Sequence, residues 1–126
     1  LLHVRDIMHT GDNIPLVEET ALVSTALLEM TEKKLGMTAI VNQQGHLTGI
    51  FTDGDLRRML KNITDIHPTP IKQVMTQGGT TISSERLAVE ALQLMQNKKI
   101  NSLLVTDDNK LVGALNMHDM LKAGLS

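Results

Sequence analysis

Apolar residues at Val23, Ala26, Leu27 and Met30 fall at i, i+3, i+4 and i+7, the spacing that lines one face of a helix. Ala88, Ala91, Leu92 and Met95 reproduce that stripe 65 positions later. Behind each stripe the period changes: TAIVN and SLLVT read as short buried strands, Gln44-Gly45 and Asp108-Asn109 supply turn chemistry, and LTGIF and LVGAL read as the return strands. DGDLRRMLK and MHDMLKAG then resume helical spacing. Ahead of each stripe stand a helical turn, VRDIM or IKQVM, a Gly-containing loop and a brief extended stretch, IPLV or TTI. The order predicted twice over is therefore helical turn, strand, helix, strand, strand, helix. Thr20 and Ser83 or Ser84 are the expected N-caps, and Lys33, Lys34, Lys98 and Lys99 place positive charge at the C-terminal ends of the long helices.

The two halves are one unit written twice. MTAIVNQQGHLTGIFTDGDLR at 37–57 lies over NSLLVTDDNKLVGALNMHDML at 101–121 without a gap, pairing Val41 with Val105, Gly49 with Gly113 and Asp55 with Asp119, each 64 apart. The change of offset from 65 to 64 locates a one-residue difference in the helix-to-strand turn, Leu35-Gly36-Met37 against Ile100-Asn101. Repeat 1 is taken as residues 1–65 and repeat 2 as residues 66–126, with the apolar-poor stretch Thr64 to Pro70 at the boundary. The expected fold class is α/β of the α+β type, two β-α-β-β-α repeats. Two copies are too few to stack as an open solenoid, so closure face to face about a pseudo-twofold axis is predicted, with two related clefts between the copies.

Composition narrows the function. At 126 residues, 41% hydrophobic and 21% charged, the chain has the size and make-up of an ordinary globular domain. A net charge of −2 and a pI near 6.2 argue against a polyanion partner, and a single aromatic residue, Phe51, removes the stacking platforms of single-strand binders. Nucleic acid is not an expected partner. The chain has no cysteine, so it offers neither a disulfide frame nor a thiolate zinc site, and no apolar run approaches the roughly 20 residues that span a bilayer. A cytoplasmic protein without a membrane partner is expected.

The most suggestive short pattern is Gly49-Ile-Phe-Thr52-Asp-Gly-Asp55, a strand running into Thr-x-x-Asp at a helix start, matched by Gly113-Ala-Leu-Asn116-Met-His-Asp119. One reading is a capping box, in which the hydroxyl accepts from the N3 amide and the acid reaches back. The other is a ligand site, where hydroxyl and amides meet a phosphate and the carboxylate accepts from ribose hydroxyls. The two readings coexist. Other chemistries fail on spacing: His3, His9, His46, His67 and His118 form no His-x-x-x-His pair, and Asp55 stands where a P-loop needs lysine. No acid, base and nucleophile constellation is present, so this stretch is not expected to catalyse a reaction by itself.

On these motifs the whole chain resembles tandem cystathionine-beta-synthase (CBS) domains, the Bateman module, which binds adenosine nucleotides or other small regulators between its repeats. The resemblance implies that Thr52 and Asp55 contact phosphate and ribose, and that Asp119 does so in the second repeat, where Asn116 departs from the family hydroxyl. It places the base against Leu35 to Thr38 and Ile100 to Ser102, which brings in Met37, Thr38 and Ser102. Lys34 beside the cleft, Arg57 or Arg58 as bidentate donors, and His118 complete the candidate set, although a solvated helix face is the default for such charges.

A narrower resemblance rests on DIMHTGDNIP, LGMTAIV, GIFTDGDLRR, VMTQGG, LAVEALQLM and MHDMLKAG, which are similar to the carboxy-terminal CBS pair of bacterial arabinose-5-phosphate isomerases of the Kdo branch of lipopolysaccharide and capsule synthesis. The resemblance implies a parent aldose-ketose isomerase whose catalysis belongs to an upstream sugar isomerase (SIS) domain outside these residues; the start at Leu1-Leu2-His3 is what an excised fragment would show. The implied role is regulatory. No cofactor or metal is expected, only a nucleotide or nucleotide-sugar ligand, CMP-Kdo by feedback logic or an adenosine nucleotide by family habit. The competing expectation is a ligand-independent scaffold, a homo-oligomer through CBS–CBS contacts, with Met59, Leu60, Met120 and Leu121 exposed on the final helices.

Overall fold

In the computed structural model, which describes residues 1–125, both predicted stripes form eleven-residue helices, α2 at Val23–Lys33 and α5 at Ala88–Lys98. The other helices are α1 at Val4–Ile7, α3 at Asp53–Met59, α4 at Ile71–Val74 and α6 at Met117–Lys122, with a 3-10 turn at Gly11–Asn13. The strands are β1 at Leu16–Glu18, β2 at Met37–Val41, β3 at Leu47–Thr52, β4 at Thr76–Gln77, β5 at Thr81–Ile82, β6 at Ser102–Asp107 and β7 at Lys110–Asn116. This mixed α/β architecture, with two small sheets, is the predicted class.

Two compact units form. One is contiguous, Pro15–Gly79, with sheet order β1-β2-β3-β4; the other joins Leu1–Ile14 to the stretch from Thr80 onward, with sheet order β5-β6-β7. In each, the first strand pairs parallel to the second and the second antiparallel to the third. The sequence repeats 1–65 and 66–126 and the compact units are therefore different partitions: the helical turn that opens each repeat packs with the body of the other. The contiguous unit is built on Val17, Val23, Ala26, Met30, Ile40, Phe51, Met59 and Ile71. The other is built on Val4, Ala91, Leu92, Met95, Leu103, Val105, Leu115 and Met120. Val4 and Ile71, each fully buried, are the anchors of the two opening turns.

The helix caps correct the sequence expectation. The N-cap positions are Leu22 and Leu87, not Thr20 and Ser83 or Ser84, and neither side chain donates or accepts there. Carbonyls from distant segments satisfy the first helical amides instead: Val23 N–H donates to the Thr69 carbonyl at 2.9 Å, and Ala88 N–H to the Leu2 carbonyl at 2.8 Å. The serines turn to a strand, where Ser83 and Ser84 hydroxyls donate to Asp107 at 3.0 and 2.6 Å. At the other ends Lys34 and Lys99 take the left-handed conformation, with φ of 63° and 56°.

The one-residue difference between repeats also falls elsewhere. Met37 pairs with Thr52, and Ser102 with Asn116, so α2 and β2 keep the offset of 65 through the first strand of each hairpin. Ile40 opposes Gly49 as Val105 opposes Gly113, which makes Ile40, and not Val41, the counterpart of Val105. The extra residue lies in the hairpin turn, Asn42 to His46 against Asp107 to Lys110, where a surface loop absorbs it. Both hairpins carry an irregularity one step before the turn. The ungapped sequence match hides this shift because Ile40, Val41, Leu104 and Val105 are all aliphatic.

Gly49 and Gly113 mark where the opening turns land. A Cβ on Gly49 would stand 2.6 Å from Met75 Sδ and 2.9 Å from the Thr76 carbonyl oxygen; a Cβ on Gly113 would run into the Met8 side chain. Met8 and Met75 are equivalent, each directly after a four-residue helical turn. Over-packing this contact is expected to destabilise Gly49→Ala and Gly113→Ala by about 1–3 kcal/mol each in chemical denaturation. Midpoints equal to the parent's in both variants would remove the account of a forced close approach.

Candidate functional site

Strand β3 runs straight into α3, and β7 into α6, and both junctions are capping boxes. Thr52 is the N-cap of α3: Thr52 N–H donates to Asp55 Oδ2 at 2.9 Å, and Asp55 N–H returns a longer bond to the Thr52 hydroxyl at 3.4 Å. Asn116 caps α6 in the same way, its N–H donating to Asp119 Oδ2 at 2.8 Å and its side-chain oxygen accepting from Asp119 N–H at 3.0 Å. An amide oxygen thus replaces the hydroxyl without loss of the cap.

The carboxylates do more than cap. Asp55 Oδ2 also accepts from the Thr52 hydroxyl at 3.1 Å, and Oδ1 accepts from Arg58 Nη2 at 2.6 Å and from the Thr76 hydroxyl at 2.8 Å. With four side-chain and backbone donors, the acceptor capacity of this buried carboxylate is filled. Asp119 Oδ1 meets His9 Nε2 at 2.9 Å, and with the Asn116 amide that makes two partners. Its side chain is 13% exposed against 4% for Asp55. Thr76 and His9 are equivalent residues, each next after the methionine seated on a strand glycine. Neither is in the sequence-predicted set. The signal was present: VRDIMH and IKQVMT align at an offset of 67, which leaves His9 over Thr76.

The remaining candidates separate into groups. Met37 and Thr38 are fully buried in β2, and the Thr38 hydroxyl is spent on the Ala26 carbonyl at 3.1 Å. Ser102 is half-buried at the start of β6 and is the register partner of Asn116, as Met37 is of Thr52. Lys34 is exposed at the end of α2, and Arg57 is exposed on α3 while its neighbour Arg58 folds back to Asp55. His118 is exposed, within the first turn of α6. The structure thus brings Thr52, Asp55 and Arg58 together around Thr76, and Asn116 and Asp119 together with His9. Met59 and Met120, expected at the surface, are 5% and 0% exposed and belong to the cores, whereas Leu60 and Leu121 are each 55% exposed. A helix turns about 100° per residue, and sequence periodicity in so short a helix does not fix which of two adjacent apolar residues turns inward.

A polar depression lined by Ser83, Glu85, Thr106, Asp107 and Asp108 lies at the opposite end of the β6–β7 hairpin from Asn116. Its acid is committed: the Ser84 hydroxyl, the Ser84 N–H and the Ser83 hydroxyl hold the Asp107 carboxyl below the usual range. Among the described residues no cluster of His, Asp and Glu could hold a metal ion, and no helix is long and apolar enough to cross a membrane.

Two such units, each a small mixed sheet with a capped strand-to-helix junction, define a paired-repeat module. The CBS domain family model matches residues 4–62 and 71–126, and the chain belongs to that family. Over 125 residues it is 52% identical to the arabinose 5-phosphate isomerase KdsD of Escherichia coli (strain K12), covering 99% of this chain and 38% of that protein's length. Among solved structures it is similar to CBSX2 in complex with AMP, at 25% identity and a TM-score of 0.83 over 98% of this chain and 96% of that one. The CBS domain pair of protein MJ0100, in complex with 5'-methylthioadenosine and S-adenosyl-L-methionine, shares the fold at 20% identity and a TM-score of 0.85, over 98% and 96%.

Two measurements test the site's energetics. Asp55→Ala is expected to cost about 2–3 kcal/mol, because four donors lose their acceptor, and Asp119→Ala about 1 kcal/mol, the value of a cap. Arg58, 67% exposed, adds little, so Arg58→Ala should stay within about 1 kcal/mol of the parent. Equal losses for the two aspartates in denaturant titrations would contradict the difference in their partners. The second concerns Asp107: a depressed native value gives stability that is complete above the ordinary aspartate range near about 3.9 and is lost as pH falls through the native value. Melting midpoints scanned downward from about pH 5 should therefore fall less steeply in Asp107→Asn than in the parent, and identical slopes would dismiss the serine cradle as the cause.

Proposed function

We propose that this chain is the regulatory ligand-binding module of an arabinose-5-phosphate isomerase of Kdo biosynthesis, taking a nucleotide or nucleotide-sugar at the junctions capped by Asp55 and Asp119. The observation that carries the reading is the duplicated cap carboxylate, part of a β3–α3 and β7–α6 junction in a chain 52% identical to a KdsD protein. A carboxylate at this place accepts from the vicinal hydroxyls of a ribose, and AMP is the ligand of CBSX2, one of the similar solved structures. Asp119 keeps acceptor capacity for such hydroxyls beside His9 and the Asn116 amide.

Regulation requires that the ligand bind two conformations of the whole enzyme with different affinity. The upstream sugar isomerase domain would be the element so biased. Feedback logic selects CMP-Kdo, the activated end product of the branch, and the departure at Asn116 from the adenosine-type hydroxyl favours it over AMP or ATP. A second reading draws on Leu60 and Leu121, which lie exposed beside the buried Met59 and Met120: a scaffold that joins subunits through the final helices without a ligand.

Calorimetric melting of the chain with CMP-Kdo, CMP, AMP and ATP separates the two. A ligand at about 100 times its dissociation constant stabilises by roughly 2.7 kcal/mol, a shift of several degrees, and loss of that shift in Asp55→Ala or Asp119→Ala identifies the working junction. No shift for any of the four, together with a dimer in sedimentation that Leu60→Asp and Leu121→Asp dissociate, would replace the sensor by the scaffold.

A further inference from the structure

Thr76 stands where a ligand hydroxyl would have to bind. Asp55 Oδ1 carries Arg58 and Thr76, and Oδ2 carries the Thr52 N–H and hydroxyl, so an incoming hydroxyl must displace a donor. The Thr52 donors belong to the capping box and Arg58 is a neighbour on the same helix, which leaves the Thr76 hydroxyl as the one donor brought in by a separate segment. What Thr76 holds is lightly held otherwise. Strand β4 has two register pairs with β3, Gly49 with Gln77 and Ile50 with Thr76, and Gly78 N–H donates to the Thr48 carbonyl at 3.2 Å. Residues 76–79 are all exposed. Few buried contacts and exposed ladder bonds are the conditions for local opening.

We propose that Thr76 is a competitive latch: its hydroxyl occupies the Asp55 carboxylate in the unliganded protein, and a ligand hydroxyl that takes the carboxylate releases β4 from the edge of its sheet. This rests on the reading of Asp55 as a ligand group. His9 is the corresponding residue at Asp119, but there the carboxylate has only two partners, so a ligand can be accepted with His9 in place. The two junctions therefore differ in kind: occupancy at Asp55 moves a segment, and occupancy at Asp119 does not require it.

Competition and support make opposite predictions for binding. Titration calorimetry with AMP and with CMP-Kdo should show Thr76→Val binding about 2- to 10-fold more tightly than the parent, part of the value of one hydroxyl-to-carboxylate hydrogen bond, with Thr76→Ser at the parental value. Hydrogen exchange at the amides of position 76 and Gly78, the two that face β3, should rise in Thr76→Val, and in the parent on adding the nucleotide that binds. Equal or weaker binding by Thr76→Val overturns the latch, as does nucleotide binding that leaves those two amides unchanged; if Asp55→Asn still abolishes binding in that case, the ligand site stands without the latch. Absence of heat from both nucleotides in the parent and in Thr76→Val overturns site and latch together.

Discussion

A carboxylate one turn into a short helix governs each unit. Helices α3 and α6 have seven and six residues, too short to persist on local propensity, and each begins where a sheet strand ends. Asp55 and Asp119 reach back to the last strand amide and so fix the angle at which the chain leaves the sheet. The same groups reach forward in space to Thr76 and His9, so the strand end, the helix start and the incoming opening turn meet on one side chain. The glycine under each methionine is the steric half of that junction: it lets the opening turn come close enough for the hydrogen bond to form.

Much of this was legible along the chain. The stripes Val23, Ala26, Met30 and Ala88, Ala91, Leu92, Met95 have an unambiguous period, and they form the buried faces of α2 and α5. Thr52 with Asp55 and Asn116 with Asp119 are local patterns, and they close as local hydrogen bonds. What escaped reading depended on distance. Whether Thr20 or Leu22 caps α2 is decided by a carbonyl at Thr69, and whether Ser84 caps α5 is decided by Asp107. The strand register was misread by one residue because Ile40, Val41 and Val105 are interchangeable in composition, and only the pairing with Gly49 and Gly113 distinguishes them. His9 and Thr76 differ so much in chemistry that, although VRDIMH and IKQVMT align, their shared role shows only through the carboxylates they touch.

The repeats have diverged at the site while keeping the frame. Thr52, Arg58 and Thr76 surround one carboxylate; Asn116 and His9 attend the other. Caps tolerate that change, since an amide oxygen and a hydroxyl both accept from the N3 amide. A ligand does not experience them alike, because one carboxylate is enclosed by donors and the other is half open. Duplication preserved the backbone geometry, and the side chains turned one geometry into two chemical environments.

The partition of the chain into units also has a kinetic side. Pro15–Gly79 is contiguous, so its sheet and core assemble from neighbours in sequence. The other unit needs Leu1–Ile14 to find residues beyond Thr80 across the whole first unit, a closure whose entropy must be met before its contacts form. During synthesis the first fourteen residues therefore emerge early and wait, with Val4 and Met8 uncovered, until Gly113 and α5 have been made. Order of translation and order of folding are reversed for that segment, and a circular permutant that begins at Pro15 and ends at Ile14 would make both units contiguous.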